Sequence, residues 1–320
     1  MLTSKENLLR EAKRQGYKPE ILEKVYRLVD IFQQMMAVPY LKERLVLKGG
    51  TALNLFYFEK LPRLSVDIDL NYIGQLNREK MLEEKTIIVD AVHQILLQNQ
   101  FERHRSPMNH AGGKMVWFYN SVLGQRGSLE IDINFMYRQP LCPIVFRPVN
   151  VLDDKKWLAP VLDIHELAAG KLSALFNRNA SRDIFDAHYL MTQAKLDIKR
   201  LREIFIAYIA MSKVDLSQLT PKYLEYDLTD FKNRLTPVLH QKTLPRRLPE
   251  LKTWADKMIT ELKSELSALL PLNQNELSFI RGIRERGHIH PELVTNDKEL
   301  AEKIKLHPAI LWAKRRHTAK

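Results

Sequence analysis

Cysteine is almost absent from this chain. Cys142 is the one cysteine among 320 residues, so no internal disulfide can form, and a fold that manages without one suits a reducing compartment. Cys142 sits between Leu141 and Pro143, away from every motif below, and is read as incidental. Long apolar runs are also missing. No stretch approaches the ~20 apolar residues of a membrane span, and the opening Met1-Leu2-Thr3-Ser4-Lys5-Glu6 has no signal-peptide pattern. The expectation is a cytoplasmic protein with no membrane partner. There is no internal repeat and no low-complexity segment. The hydrophobic share of 45% and charged share of 28% are those of an ordinary globular protein, long enough to bury a large core and to hold two domains.

Acidic residues are in deficit: 38 Asp and Glu stand against 50 Lys and Arg, a net charge of +12. Such a balance favours a polyanionic partner, most simply nucleic acid. Cations gather at Lys242, Arg246 and Arg247, at Arg281, Arg284 and Arg286, and in the run Lys314–Lys320, which has no apolar period and is expected as a frayed tail able to touch phosphates. No zinc finger and no aromatic RNP motif is present, so binding would rest on backbone charge and shape.

Where acids do occur together, their placement is unusual. Leu47-Lys48-Gly49-Gly50-Thr51 reads as a strand ending in two glycines and a hydroxyl, and Ser65-Val66-Asp67-Ile68-Asp69-Leu70 follows after a short helix. Glycines let backbone N–H groups approach a triphosphate with no Cβ in the way. Alternation on a strand puts Asp67 and Asp69 on one face, although Asp is depleted in strands. Like charges so close repel unless a cation sits between them, and two carboxylates are hard oxygen ligands for Mg²⁺. Either motif alone is more often a plain turn or a solvated strand face. A third acid can come from Gly127–Phe135, where Leu129, Ile131 and Ile133 share one face and Glu130, Asp132 and Asn134 the other. Paired beside Val66–Leu70, that strand would bring Asp132 or Glu130 to the first two acids, the set used in two-metal phosphoryl transfer. The same pattern also fits an ordinary half-exposed strand.

Further on, Asp163 is placed to cap a helix, with Glu166 three residues later as in a capping box. Lys171 lies beside that helix's packed face and, from the residues alone, reads as a snorkelling surface lysine. Ser181 is positioned to cap a second helix, with Arg182, Asp183 and Asp186 on its first turns. There the acids suit the helix dipole, and Asp183 and Asp186 share a face.

The order Gly-Gly-Thr, Asp-Ile-Asp, Ile-Asp-Ile resembles the polymerase-β-type nucleotidyltransferase superfamily. Asp163-Ile-His-Glu-Leu-Ala-Ala-Gly-Lys-Leu-Ser-Ala-Leu175, leading into Arg178-Asn-Ala-Ser-Arg-Asp-Ile-Phe-Asp186, is similar to the AbiEii/AbiGii type of nucleotidyltransferase toxin, with its Lys-Leu helix and Arg-Asp-x-x-Asp motif. Gly287-His-Ile-His-Pro-Glu-Leu-Val294 and His307-Pro-Ala-Ile-Leu-Trp312 are similar to it too. The resemblance spans roughly residues 40–314. It implies an NTP substrate and Mg²⁺, or Mn²⁺ in its place, held by Asp67, Asp69 and Asp132, with Lys171 meeting the nucleotide's phosphates and Asp183 orienting it or acting as a base. Lys48, Gly49, Gly50, Thr51, Ser65, Arg182 and Asp186 complete the implied nucleotide-binding set. It also implies the toxin of a toxin–antitoxin or phage-defence pair, an RNA acceptor such as the tRNA 3′ end, and a cognate antitoxin. The choice between Asp132 and Glu130 stays open here. So do two other readings: a nucleotidyltransferase that modifies protein, and a non-catalytic module that holds nucleotide or RNA.

The expected fold is α+β. Residues 1–150 read as a polymerase-β-like mixed sheet with flanking helices, and 151–320 as a mainly helical domain. Helices are expected in pairs over 5–37, the second burying Ile21, Leu22, Val25, Leu28, Val29 and Phe32, and from Asn77 to about 98 with Met81, Ile88, Val92, Ile95 and Leu96 inward. Strands are expected near 45–48, 66–72, 101–105, 114–120 and 128–136. Gln139–Pro148, with three prolines, reads as a connector or edge segment. Helices are expected over 164–178, 182–194, 197–211, 249–268, 274–285 and 297–304.

Overall fold

Alternating apolar and acidic residues build the centre of a seven-stranded mixed sheet. The strands are β1 (Leu45–Lys48), β2 (Asp67–Tyr72), β3 (Glu102–Arg105), β4 (Gly112–Asn120), β5 (Arg126–Asn134), β6 (Val145–Pro148) and β7 (Leu158–Val161), in the order β3-β4-β5-β2-β1-β7-β6. β2 is antiparallel to β1 and parallel to β5, which is antiparallel to β4. Ile68, Leu70, Leu129, Ile131 and Ile133 are buried, which turns the intervening acids to the other face. The structure, a computed structural model, describes residues 4–58, 61–106, 111–149, 157–245 and 247–318. It divides into two units. One is Met1–Arg138 with Ile144–Leu162 and Pro237–Leu244. The other is Gln139–Pro143 with Asp163–Thr236 and Pro245–Lys320.

In the sheet unit the helices are α1 (Lys5–Gln15), α2 (Pro19–Ala37), α3 (Pro39–Lys42), α4 (Gly49–Ala52) and α5 (Arg78–Gln98). The side chain of Asn77 accepts the N–H groups of Glu79 and Lys80 and so starts α5, which buries Met81, Ile88, Val92, Ile95 and Leu96 as its spacing predicts. α2 buries Leu22, Val25, Leu28, Val29 and Phe32, with Ile21 half-buried, and packs on α5, β2 and β5. It also carries Glu23, 3% exposed. This carboxylate accepts from Arg27, from the Ser121 hydroxyl and from the Val122 N–H, fastening the β4–β5 turn to the helix.

The second unit is helical: α6 (Ile164–Arg178), α7 (Ser181–Gln193), α8 (Ile198–Met211), α9 (Leu228–Asp230), α10 (Leu248–Glu265), α11 (Gln274–Arg281), α12 (Lys298–Leu306) and α13 (Pro308–Thr318). Several local expectations change here. Asp163 does cap α6, accepting the His165 N–H, but Glu166 forms no capping box. It is buried and accepts the Cys142 N–H at 2.9 Å and the Tyr208 hydroxyl at 3.0 Å. Ser181 is the first residue of α7 rather than its cap; its N–H donates to the Asp230 carboxylate at 2.7 Å. Arg284 does not join a surface cluster. Its guanidinium donates to the carbonyls of Ile209 and Val214, closing the end of α8. The run from Lys314 continues α13 as far as Thr318 instead of fraying. Arg246, Ala319 and Lys320 lie outside the described residues, as do Met1, Leu2 and Thr3.

Burial pushes the Glu166 carboxyl up to about 7, against hydrogen bonds from the neighbouring N–H groups and Tyr208 that favour the charged form. An acid raised in the fold is stabilising below its unfolded value near 4.5, and that contribution is lost as pH rises toward 7. Two and a half pH units correspond to on the order of 3 kcal/mol. Unfolding midpoints of the wild type and Glu166→Gln, measured from pH 4.5 to 8, should diverge, with the wild type losing ground as pH rises. Parallel curves would show that Glu166 is not held neutral.

Candidate active site

Register sets the site. Lys48 on β1 lies opposite Asp69 on β2, Asp69 opposite Asp132 on β5, and Asp132 opposite Lys114 on β4. Directly opposed residues share a face with Cβ atoms about 5 Å apart, so one row across four strands reads Lys-Asp-Asp-Lys. One step along, Asp67 lies opposite Glu130. All four acids are half-buried on that face.

The carboxylates feel burial and each other. Burial raises Asp67 above the usual carboxylate range, with Glu130 and Asp69 adding to the push and Lys24 and Lys114 opposing it. Burial also raises Asp132; Lys48 and Lys114 pull it back, and Asp69 pushes it further. Lys114, which the sequence reading missed, loses charge stability through burial. The Glu130 hydrogen bond and the field of the acids more than offset this, and its ammonium is held above the ordinary lysine range. Its Nζ lies 2.6 Å from Glu130 Oε2. Glu130 is therefore already engaged by a cation, whereas Asp132 faces Asp69.

The glycine turn rests on these acids. Gly49 has φ +73°, and a Cβ built there would stand 2.5 Å from Asp69 Oδ2, so a side chain would be strained and would collide with the carboxylate. A Cβ on Gly50 would meet the Arg63 guanidinium at 2.7 Å and the Ser65 hydroxyl at 2.9 Å; both of those side chains are buried. The Lys48 side chain makes no capping bond to the start of α4. Thr51 has a different part from the phosphate contact expected of it. Its side chain is fully buried and its hydroxyl donates to the Asp67 carbonyl at 2.5 Å, which locks the turn to β2.

The helical unit holds a second charge cluster. Lys171 Nζ lies 2.8 Å from Asp186 Oδ2 and 3.4 Å from Asp183 Oδ1. Arg178 clamps Asp183 through Nε at 2.5 Å and Nη2 at 3.0 Å. Both aspartates are 1% exposed and the Lys171 side chain 12%. Asn179, in the left-handed region at φ +50°, turns the chain between α6 and α7 and sets Arg178 beside α7. The arginine on Asp183 is thus Arg178. Arg182, next to Asp183 in the motif, instead contributes to the field that lowers Asp230, a carboxyl also held down by its hydrogen bonds from Ser181.

A family described as "Nucleotidyl transferase AbiEii toxin, Type IV TA system" matches residues 30–260. The chain belongs to the AbiEii nucleotidyltransferase toxin family. Its fold is also that of a solved nucleotidyltransferase toxin, MenT4 from Mycobacterium tuberculosis H37Rv, with a TM-score of 0.58 at 17% identity, covering 95% of this chain and 97% of that one. No curated protein matches the chain. Membership of the AbiEii family makes this a nucleotidyltransferase and the toxin of a type IV toxin–antitoxin system, with a nucleotide substrate and an antitoxin partner. Enzymes of this kind generally use an NTP with a divalent metal. No described helix is long and apolar enough to cross a membrane.

The sheet residues fit a divalent cation. Their donors are hard carboxylate oxygens, those of Asp67 and Asp132 on groups raised by burial and mutual repulsion, and the missing side chain at Gly49 lets its backbone lie close against Asp69. Among the described residues no three His, Cys, Asp or Glu side chains already enclose one point. Mg²⁺ asks for less than a full cage, because it keeps waters and substrate phosphates among its ligands.

Proposed function

We propose that this AbiEii enzyme transfers a nucleoside monophosphate from an NTP to an RNA hydroxyl, with the tRNA 3′ end as acceptor, in a cytoplasmic toxin–antitoxin or phage-defence pair. The observation that carries the reading is the Lys48–Asp69–Asp132–Lys114 row, with Asp67 one step away and the Gly49-Gly50 turn against Asp69. Asp67, Asp69 and Asp132 would hold Mg²⁺ or Mn²⁺, which when bound neutralises charge on the phosphates. Asp132 is preferred to Glu130 as third acid because Lys114 already occupies Glu130. The backbone of Gly49 and Gly50 and the side chain of Lys48 receive the phosphates.

In the reaction the acceptor hydroxyl oxygen bonds to the α-phosphorus. The bond from that phosphorus to the bridging oxygen breaks, and pyrophosphate leaves with the electron pair. The hydroxyl proton passes to a carboxylate oxygen of Asp132 that the cation does not take. Lys171 adds positive charge to the phosphates, and Asp186 and Asp183 position its ammonium. The high ratio of cations to acids in the chain favours RNA over protein as acceptor.

The test is to incubate the protein with Mg²⁺, each α-³²P-labelled NTP, total RNA and a cell lysate, and to resolve the products. A labelled tRNA-sized band whose label is removed by trimming the 3′ end is expected. Label confined to protein bands would overturn the RNA reading in favour of protein modification.

A further inference from the structure

The segment Gly287-His288-Ile289-His290-Pro291-Glu292-Leu293-Val294 lies beyond the family match, and neither charge cluster uses it. Gly287, at φ +68°, ends the helical turn that follows α11. The chain then doubles back, and the His288 N–H donates to the Gly282 carbonyl at 2.8 Å. α11 and the returning segment border a half-open cavity of about 350 Å³, lined by Ser278, Phe279, Arg286, His288, His290 and Leu293. Its size is that of a small-ligand site.

The lining divides by chemistry. Phe279 and Leu293 are apolar. The other groups are polar, aromatic or cationic, and they are held in place. His290 engages Glu292 Oε1 through Nδ1 at 2.8 Å, which leaves Nε2 for a ligand. The His288 and His290 rings meet edge to face with centroids 6.1 Å apart. Arg286 spends one N–H on the Ser278 carbonyl at 3.3 Å and keeps further donors. Lys314 of α13 comes alongside: a Cβ on Gly287 would stand 3.7 Å from its Cγ. Apolar lining, imidazole planes and a guanidinium with a second cation nearby match the parts of a nucleotide. Single-stranded RNA is bound by splaying out bases that stack on aromatic, imidazole or guanidinium planes, while cations take the phosphate.

We propose that this cavity holds one unstacked nucleotide of the RNA acceptor, its base against His288 and the apolar lining and its phosphate on Arg286. The proposal deepens the RNA-acceptor reading and rests on it.

The test is fluorescence anisotropy of the full chain with a labelled single-stranded RNA octamer and with the same octamer in a duplex. The proteins compared are the wild type, His288→Ala, His288→Phe and Arg286→Ala. The wild type should prefer the single strand. His288→Ala should weaken single-strand binding about tenfold, the loss of one stacked base, while His288→Phe, which keeps a ring, should stay close to the wild type. Arg286→Ala should weaken binding and lower the slope of log Kd against log salt by about one. Both side chains are exposed, so unchanged unfolding midpoints should accompany these losses. Wild-type binding by His288→Ala and Arg286→Ala would overturn the cavity's role and leave the acceptor reading standing. A wild type that binds neither RNA, and labels only protein in the transfer assay, would overturn both.

Discussion

Asp69→Asn should abolish nucleotide transfer without loosening the fold. Asp69 lies at the crossing of the site's features: opposite Asp132, opposite Lys48, and against Gly49. Asn keeps the shape and removes the charge. On the proposed role of Asp69 as a ligand of the cation, its loss should cost about 4 kcal/mol of transition-state stabilisation, roughly a thousandfold in rate. The fold should be unharmed or slightly firmer, because one member of a mutually repelling group of half-buried acids has been neutralised. Asp67→Asn should behave alike. The check is turnover measured beside the thermal midpoint. Activity within a few-fold of the wild type would remove Asp69 from the site, and a collapse of the midpoint would make it a structural acid.

Lys171→Ala should have the largest effect on stability and a large one on turnover. Removing the ammonium takes away the cation 2.8 Å from the buried Asp186 carboxylate, while Asp183 retains Arg178. Breaking one side of a buried ion pair typically costs about 3–5 kcal/mol. A loss of activity in this variant alone would therefore be ambiguous. Adding Asp186→Asn neutralises the carboxylate that faced the ammonium and should restore much of the stability. If Lys171 meets the nucleotide's phosphates, the stabilised double variant stays nearly inactive. If turnover returns together with stability, Lys171 belongs to the packing of α6 on α7 and has no part in the chemistry.

What the sequence disclosed depended on how locally each feature was encoded. The 3.6-residue spacing of Met81, Ile88, Val92, Ile95 and Leu96 and the strict alternation of Leu129 to Ile133 placed α5 and β5 correctly, and the alternation of the Asp-Ile-Asp strand β2 was visible in six residues. β7 was not visible. It is four residues long and contains Pro160, which cannot donate to a ladder; the strand is possible because its pairing with β1 registers only at Val161. The proline-rich connector does supply an edge strand, β6.

Side-chain partners distant in sequence were the least legible. Glu23 serves a turn 98 residues away, Glu166 reads as a capping acid until Cys142 and Tyr208 are placed beside it, and Lys114 gains meaning only from strand register. In the Arg-Asp motif the adjacent Arg182 drew attention, while the arginine on Asp183 is Arg178, brought there by a left-handed Asn179. Thr51 looked like a phosphate contact because Gly-Gly-Thr turns can be; its hydroxyl is turned inward onto the Asp67 carbonyl.

The most direct measurement follows the two ends of the triphosphate. Wild type and Asp69→Asn are given RNA, Mg²⁺ and the same NTP labelled at either the α- or the γ-phosphorus, with and without a chelator. α-Label should enter the RNA and γ-label should leave as pyrophosphate, and both processes should stop in the variant and in chelator. γ-Label on the RNA, or α-transfer that survives Asp69→Asn, would contradict nucleotidyl transfer at this site.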